Sequence, residues 1–500
     1  MAFSTAVKIA QLDDYINPSQ DCIIPIVNKD NKLDPYDMTY IYGQAQESNL
    51  ILKNTKTQTA QISLSDCLAC SGCVTTAESI LKQEQSIEEF KEKISNMKKN
   101  GGISIIVFSN QALASLANHF KMGIQQMLYA LKRFFHENLP DLFIIDSMEI
   151  AQFLALQMSA LEFVEAYQQK KNMPILSSEC PGWTCYAEKQ STEQTIDIMS
   201  KVKSPQQIIG SILKKQYNYK LFMTTLMPCY DKKVESARKE FETNNVKDVD
   251  MVLTCTEIME LVKEFEAPKL QQQEQKEKKD VNQIFPYNDD LTNIDQEILE
   301  ADQKYKNTID FSQITGFQVN SLKKNYALKA DFTSNGYLDY VLNYAAKNML
   351  KLENYDIERK QMKNSDFIEY NLYKNKEDKS EKLLSFAKVY GLKNIQNLLR
   401  NIKIKKCKYS YIEIMACPQG CVNGGGQMKS LDENIKSKDF SQQVSSVLND
   451  YIWEKQEHDV KIMREGEKEK IDSFVEKLYK QSQVQYKHID KSQTVQAYQW

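Results

Sequence analysis

Cys67, Cys70 and Cys73 lie in the segment DCLACSGC with C-x2-C-x2-C spacing. Thiolates placed so on one tight turn can each cap a different iron of a cubane cluster. The small residues Ala69, Ser71 and Gly72 let the backbone curl around such a cluster and aim amides at its sulfides. Zinc is the alternative occupant, but zinc takes four tetrahedral ligands, commonly as two separated pairs. The spacing therefore points to an iron–sulfur cubane, and its fourth ligand must come from elsewhere. Cys180 and Cys417 each precede a proline, as the distant ligand does in two-cluster ferredoxins. Cys22, in the segment DCII, is the third candidate. Spacing alone does not choose among them.

A second set of thiols is spread over three motifs: Cys180 in SSECPGW, Cys229 in MPCYDKK, and Cys417 with Cys421 in MACPQGCVNGGGQ. Each motif follows directly on a β-rich run. In an α/β sheet, groups just past the carboxyl ends of the strands converge on a crevice where ligands bind. The four thiols are thus expected to meet and to hold a second cluster. Pro181, Pro228 and Pro418 stiffen the backbone beside them. Gly424, Gly425 and Gly426 are expected to let a bulky cofactor approach the main chain. Of the other cysteines, Cys185 falls on the helix after PGW, Cys255 closes a strand and Cys407 sits in a basic loop; all three read as structural. His119, His136, His458 and His488 are scattered and fall in no nucleophile or zinc motif.

The elements that must position these motifs begin near Gly101. Ile103–Phe108, Leu142–Asp146, Pro174–Ser178, Leu221–Leu226 and Met251–Thr254 read as buried strands with helical stretches between them. Such alternation implies a parallel sheet with helices on both faces. From Leu270 to Asp280 the chain reads LQQQEQKEKKD, a solvated run that breaks the pattern. Order is expected to resume near Phe311. Gly336–Lys347 and part of Leu383–Ile402 read as amphipathic helices, and Tyr409–Met415 alternates as a strand. After Gln427 the chain is charged and helical. The implied division is an N-terminal cluster segment (1–100), a first α/β lobe (101–265), a low-complexity insertion (266–310), a second α/β lobe (311–430) and a helical C-terminal region with its tail (431–500).

A chain of 500 residues is too long for one compact core. With 64 basic and 67 acidic side chains it is nearly neutral, which gives no electrostatic footprint for nucleic acid. The N-terminus lacks a charged stretch followed by an apolar run, and Asp13 and Asp14 argue against a mitochondrial presequence. The most apolar long stretch is interrupted by Asp146, Glu149 and Glu162 and is too polar to span a bilayer. A cytoplasmic or nuclear chain is expected, and in a reducing compartment its 11 cysteines should stay free, bind metal or react.

The segments CLACSGCVTTAE, SSECPGWTCYAEK, MPCYDKKVESAR, YGLKNIQNLLR and EIMACPQGCVNGGGQ, in this order, resemble the eukaryotic iron-only hydrogenase-like proteins. These are cytosolic iron–sulfur assembly factors related to the nuclear prelamin A recognition factor. The resemblance covers roughly residues 1–430. It implies two sheet-containing lobes of the iron-only hydrogenase type and two 4Fe-4S clusters. By it the outer cluster takes Cys22, Cys67, Cys70 and Cys73, and the inner cluster takes Cys180, Cys229, Cys417 and Cys421. It also implies a non-enzymatic role that links the cluster scaffold to a targeting complex with a WD40-repeat subunit. The rival reading is a true hydrogenase. Lys232 matches a lysine that contacts the di-iron ligands in those enzymes, whereas Glu179 stands where they carry a proton-relaying cysteine, and Met428 where a proline is usual. Relatives often end in an aromatic residue, so Trp500 is expected to dock on the targeting complex, although Gln499 replaces the usual acidic neighbour.

Overall fold

The computed structural model describes residues 7–9, 60–62, 85–146, 148–171, 173–273, 309, 331–375, 379, 381–432, 434–458 and 465–487. Two compact units divide the chain, residues 1–76 and 77–500. In the first, strands β1 (Val7–Ile9) and β2 (Ala60–Ile62) pair antiparallel. Cys22, Cys67, Cys70, Cys73 and Trp500 lie outside the described residues, as does the order expected to resume near Phe311.

The second unit starts with α1 (Ile87–Lys99), where the Ser86 hydroxyl accepts the Glu89 N–H at 3.2 Å and Lys98 and Lys99 close the last turn. There follow β3 (Ile103–Phe108), α2 (Asn110–His119), α3 (Ile124–Asn138), β4 (Leu142–Ile145) and α4 (Glu149–Gln169). Next come β5 (Ile175–Ser177), α5 (Pro181–Gln190), α6 (Pro205–Gln216), β6 (Leu221–Met227) and α7 (Asp231–Ser236). A short hairpin, β7 (Glu242–Thr243) with β8 (Val246–Lys247), precedes β9 (Met251–Thr254) and α8 (Cys255–Gln273). Cys255 is therefore the first residue of a helix rather than the last of a strand.

Strands β4-β3-β6-β9 form a four-stranded, wholly parallel sheet. Its strands are near-continuous apolar runs because helices cover both faces. Beyond the low-complexity stretch come α9 (Tyr337–Tyr344), β10 (Asp356–Gln361), β11 (Phe367–Tyr373), β12 (Lys382–Tyr390), α10 (Leu392–Lys403) and β13 (Tyr411–Met415). The second sheet runs β10-β11-β12-β13-β5, antiparallel as far as β12 and parallel from there. The strand β5 thus joins the later sheet.

The stretch Leu383–Ile402 holds a strand as well as the expected helix. Leu384 to Tyr390 are buried on both faces, and Gly391, at φ +80°, turns β12 into α10 while its N–H donates to the Met415 carbonyl at 2.9 Å. The helices α11 (Ser437–His458) and α12 (Glu465–Gln481) complete the unit. Phe440, Val444 and Leu448 of α11 join the core of the first sheet's outer layer. Ile471, Val475 and Leu478 of α12 join the core between the sheets. Among the described residues, no helix is long and apolar enough to cross a membrane.

Candidate metal centre

Cys180 follows β5 by three residues, Cys229 follows β6 by two, and Cys417 follows β13 by two; Cys421 lies one short turn further on. All three are carboxyl ends of parallel-paired strands, two in one sheet and one in the other. The strand geometry aims the loops at a common point. The four cysteines line one cavity.

The loops hold each other by specific bonds. The Ser178 hydroxyl donates to the Ile414 carbonyl at 2.5 Å and accepts the Cys180 N–H at 3.0 Å, which ties the end of β5 to β13. Pro181 begins α5, so Cys180 sits at the helix N-cap. The Cys421 N–H donates to the Ser334 hydroxyl at 3.1 Å, and Gly420, at φ +84°, gives the turn its hand. A Cβ there would stand 2.3 Å from Ser334 Oγ.

Two positions of the glycine run hold loops of the chain against each other. A Cβ on Gly424 would stand 2.4 Å from the Pro228 carbonyl oxygen and 3.2 Å from Cys229 Cβ, and a Cβ on Gly426 would stand 2.6 Å from the Thr254 methyl. The Gly426 N–H donates to the Pro228 carbonyl at 3.1 Å. Gly424 and Gly426 therefore bring the Cys421 loop against the Cys229 loop. Gln427 braces the same loop from behind: its amide donates to the carbonyls of Gln111 (3.2 Å) and Cys421 (3.3 Å). Cys255 has the structural role read for it, donating its S–H to Gln427 Oε1 at 3.2 Å.

Burial pushes all four thiols above their ordinary value. Neighbours add to this. Asp231 and Cys180 raise Cys229, and Cys180 and Cys229 raise Cys417 and Cys421. Such a set cannot become four thiolates without compensating positive charge. Among the described residues, no three His, Cys, Asp or Glu side chains converge as ligands of a single ion would.

Two buried polar residues complete the wall. Burial raises the Glu179 carboxyl, against the pull of Lys232 and of Asn335, whose amide donates to both carboxylate oxygens at 2.7 and 2.6 Å. The Cys421 thiol is 3.7 Å from the same carboxylate. The Lys232 ammonium donates to the Glu179 carbonyl at 2.6 Å and pairs with Glu235 at 2.8 Å. Burial alone would lower its pKa, but Glu235 and Glu179 outweigh that and hold it above its ordinary value. Asn335, Glu235 and Gln111, which donates to Asn335 Oδ1 at 2.7 Å, were not singled out from the sequence. Asn335 and Gln111 stand in no motif and are brought here by tertiary contact, whereas Glu235 lies inside MPCYDKKVESAR, one helical turn after Lys232.

The family described as "Iron only hydrogenase large subunit, C-terminal domain" matches residues 103–425. Among curated proteins, the chain is 33% identical to "Cytosolic iron-sulfur assembly component 3" of Rattus norvegicus, over 89% of this chain and 88% of that one. It is 34% identical to "Probable cytosolic Fe-S cluster assembly factor narfl" of Dictyostelium discoideum, over 86% and 85%. It is also similar to "Protein NAR1" of Arabidopsis thaliana, at 33% identity over 89% of each. Among solved structures, an apo FeFe-hydrogenase from Chlamydomonas reinhardtii superposes with TM-score 0.52 at 17% identity, over 78% of this chain and 94% of that one. A second FeFe-hydrogenase, described by its oxygen inactivation, gives TM-score 0.53 at 18% identity, over 78% and 93%. The fold is that of iron-only hydrogenase large subunits, and the chain belongs to the iron-only hydrogenase-like family of cytosolic iron–sulfur assembly proteins.

Proposed function

We propose that this protein is a non-catalytic carrier and adaptor in cytosolic iron–sulfur protein assembly, holding two 4Fe-4S clusters. The observation that carries the reading is the convergence of Cys180, Cys229, Cys417 and Cys421 on one cavity from three strand ends. A cubane takes one thiolate at each of four corners and supplies the positive charge that four buried thiolates require. Four thiols arrayed around a space, with Gly424 and Gly426 closing the loops together, fit that group. Cys22, Cys67, Cys70 and Cys73 hold the outer cluster in this reading. The relatives named as cytosolic assembly factors support the pathway and a cytoplasmic location; a nuclear location belongs to this reading alone. The protein links the scaffold that builds clusters to a WD40-containing targeting complex, with Trp500 as the docking residue.

Hydrogenase chemistry is the second reading, favoured by the fold and by Lys232. Against it, the Lys232 ammonium is already bound to the Glu179 carbonyl and to Glu235, and Glu179 occupies the place of a thiol relay. The test of the ligand set is Cys417→Ala, purified without oxygen. The expected result is loss of about four irons or failure to accumulate, because cluster binding and folding are coupled. A Cys417→Ala protein that stays folded at full iron content contradicts the assignment.

A further inference from the structure

The last described residues lie along the body of the molecule as a strap. The helix α12 ends at Gln481, and three residues later Val484 is 1% exposed, its N–H donating to the Lys201 carbonyl at 2.8 Å. Tyr486 packs against the apolar cluster that contains Cys180 and Trp183, and the Arg238 guanidinium stands 5.8 Å from its ring centre. Arg238 is itself fixed by two bonds to Glu188, at 2.8 and 2.7 Å, and the Lys487 N–H reaches Glu188 Oε1 at 3.4 Å.

Tyr486 lines a second, small cavity. Glu179, Pro181 and Glu235 line it as well. Glu179 and Pro181 also line the cavity of the four thiols. One short segment, Glu179 to Pro181, therefore separates the thiol chamber from a space that the strap closes. That space has a polar side: the buried Ser204 hydroxyl and Arg238 Nε have no hydrogen-bond partner there. The space is small, so anything larger than water reaches the segment behind it only when the strap lifts.

We propose that residues 482–487 are a displaceable cover over a second approach to the inner centre, on its Cys180 side. The proposal rests on the reading that the four thiols hold a cluster. The strap is held by the Val484 backbone bond and its buried side chain, by Tyr486 against its apolar cluster and Arg238, and by the long Lys487 N–H bond to Glu188; a six-residue segment with so few contacts opens at lower cost than the core. Seated, it shields the Cys180 corner. Lifted, it exposes Pro181 and the loop behind it.

The test is the rate at which the anaerobic holoprotein loses iron to bathophenanthroline disulfonate, followed by visible absorbance in a Cys70→Ala background that isolates the inner cluster. Tyr486→Ala and a chain stopped after Gln481 should each lose iron about tenfold faster. Tyr486→Phe and a chain lacking only 488–500 should match the parent. Hydrogen exchange on the unmodified protein gives a second readout that does not depend on any variant folding. The Val484 amide should exchange before those of β13, and iron loss should rise with Val484 exchange as urea is added below global unfolding. Iron loss that follows only β13 exchange, or equal rates in Tyr486→Ala, the truncated chain and the parent, overturns the cover. A parent without inner-cluster iron overturns the ligand assignment instead, and the cover with it.

Discussion

Replacing Gly424 by Ala should pry apart two loops that each bring a thiol to the candidate centre. The added Cβ would stand 2.4 Å from the Pro228 carbonyl oxygen, 3.0 Å from its carbon and 3.2 Å from Cys229 Cβ. The first neighbour is backbone, so no side-chain rotation relieves it. Forcing a methyl into a packed site costs about 1–3 kcal/mol. If the loops separate, the Gly426 N–H bond to the same carbonyl, now 3.1 Å, is weakened, which adds roughly 1 kcal/mol. The expected loss is thus about 2–4 kcal/mol, and it falls on the geometry of Cys229 against Cys421. The assay is urea unfolding of the anaerobic holoprotein together with an iron count. Lower stability with depleted iron is the expected result. A Gly424→Ala protein with parental stability and full iron would refute the claim that these glycines set the distance between the ligand loops.

Three further outcomes can be checked. Cys70→Ala should remove about four irons and leave the inner set, since the outer motif is independent of it; loss of all iron would show the two sites to be coupled. Deleting Trp500 should weaken capture of the WD40-containing targeting complex without changing iron content or fold, and equal capture would return the tail to an inert end. Glu162 is buried, and burial raises its carboxyl to about 7 from 4.5. Stability linked to a raised acid is complete below the unfolded value and is lost as pH rises through the folded one. The parent should therefore lose about 3 kcal/mol between about pH 4.5 and 7 that Glu162→Gln does not lose. Identical stability–pH slopes in the two proteins would rule out that charge burden.

The parts of the fold that were legible in the sequence are those whose signal is local. Ile103–Phe108 is apolar throughout because helices cover both sheet faces, and the three cysteine motifs each follow a strand end. That placement foretold their meeting before any pairing was known. The strand β5 gave no sign that it pairs with β13, because strand order is set by long-range contacts that leave no mark on three residues. The strand β12 was hidden for a different reason. Its apolar positions, Leu384, Phe386, Ala387 and Val389, run into those of α10, and only Gly391 marks the change of period. At the site, Glu179 and Lys232 stood inside motifs and could be named. Asn335 and Gln111 could not, because nothing in the sequence around them says that they meet the carboxylate. The glycine run was visible, but the spacing did not reveal that Gly424 and Gly426 also serve contact between loops of the chain itself.

The central claim is that four thiols from three strand ends hold one cubane and that a second sits on the N-terminal motif, with no catalytic di-iron unit. Mössbauer spectroscopy on anaerobically purified, iron-57-enriched protein, with iron and sulfide counts and an infrared spectrum on the same sample, tests it most directly. The account predicts about eight irons and eight sulfides per chain, all in 4Fe-4S signals, and no carbonyl or cyanide bands. Four irons with Cys180, Cys229, Cys417 and Cys421 all alkylatable, or carbonyl and cyanide bands accompanied by hydrogen evolution from reduced viologen, would contradict it.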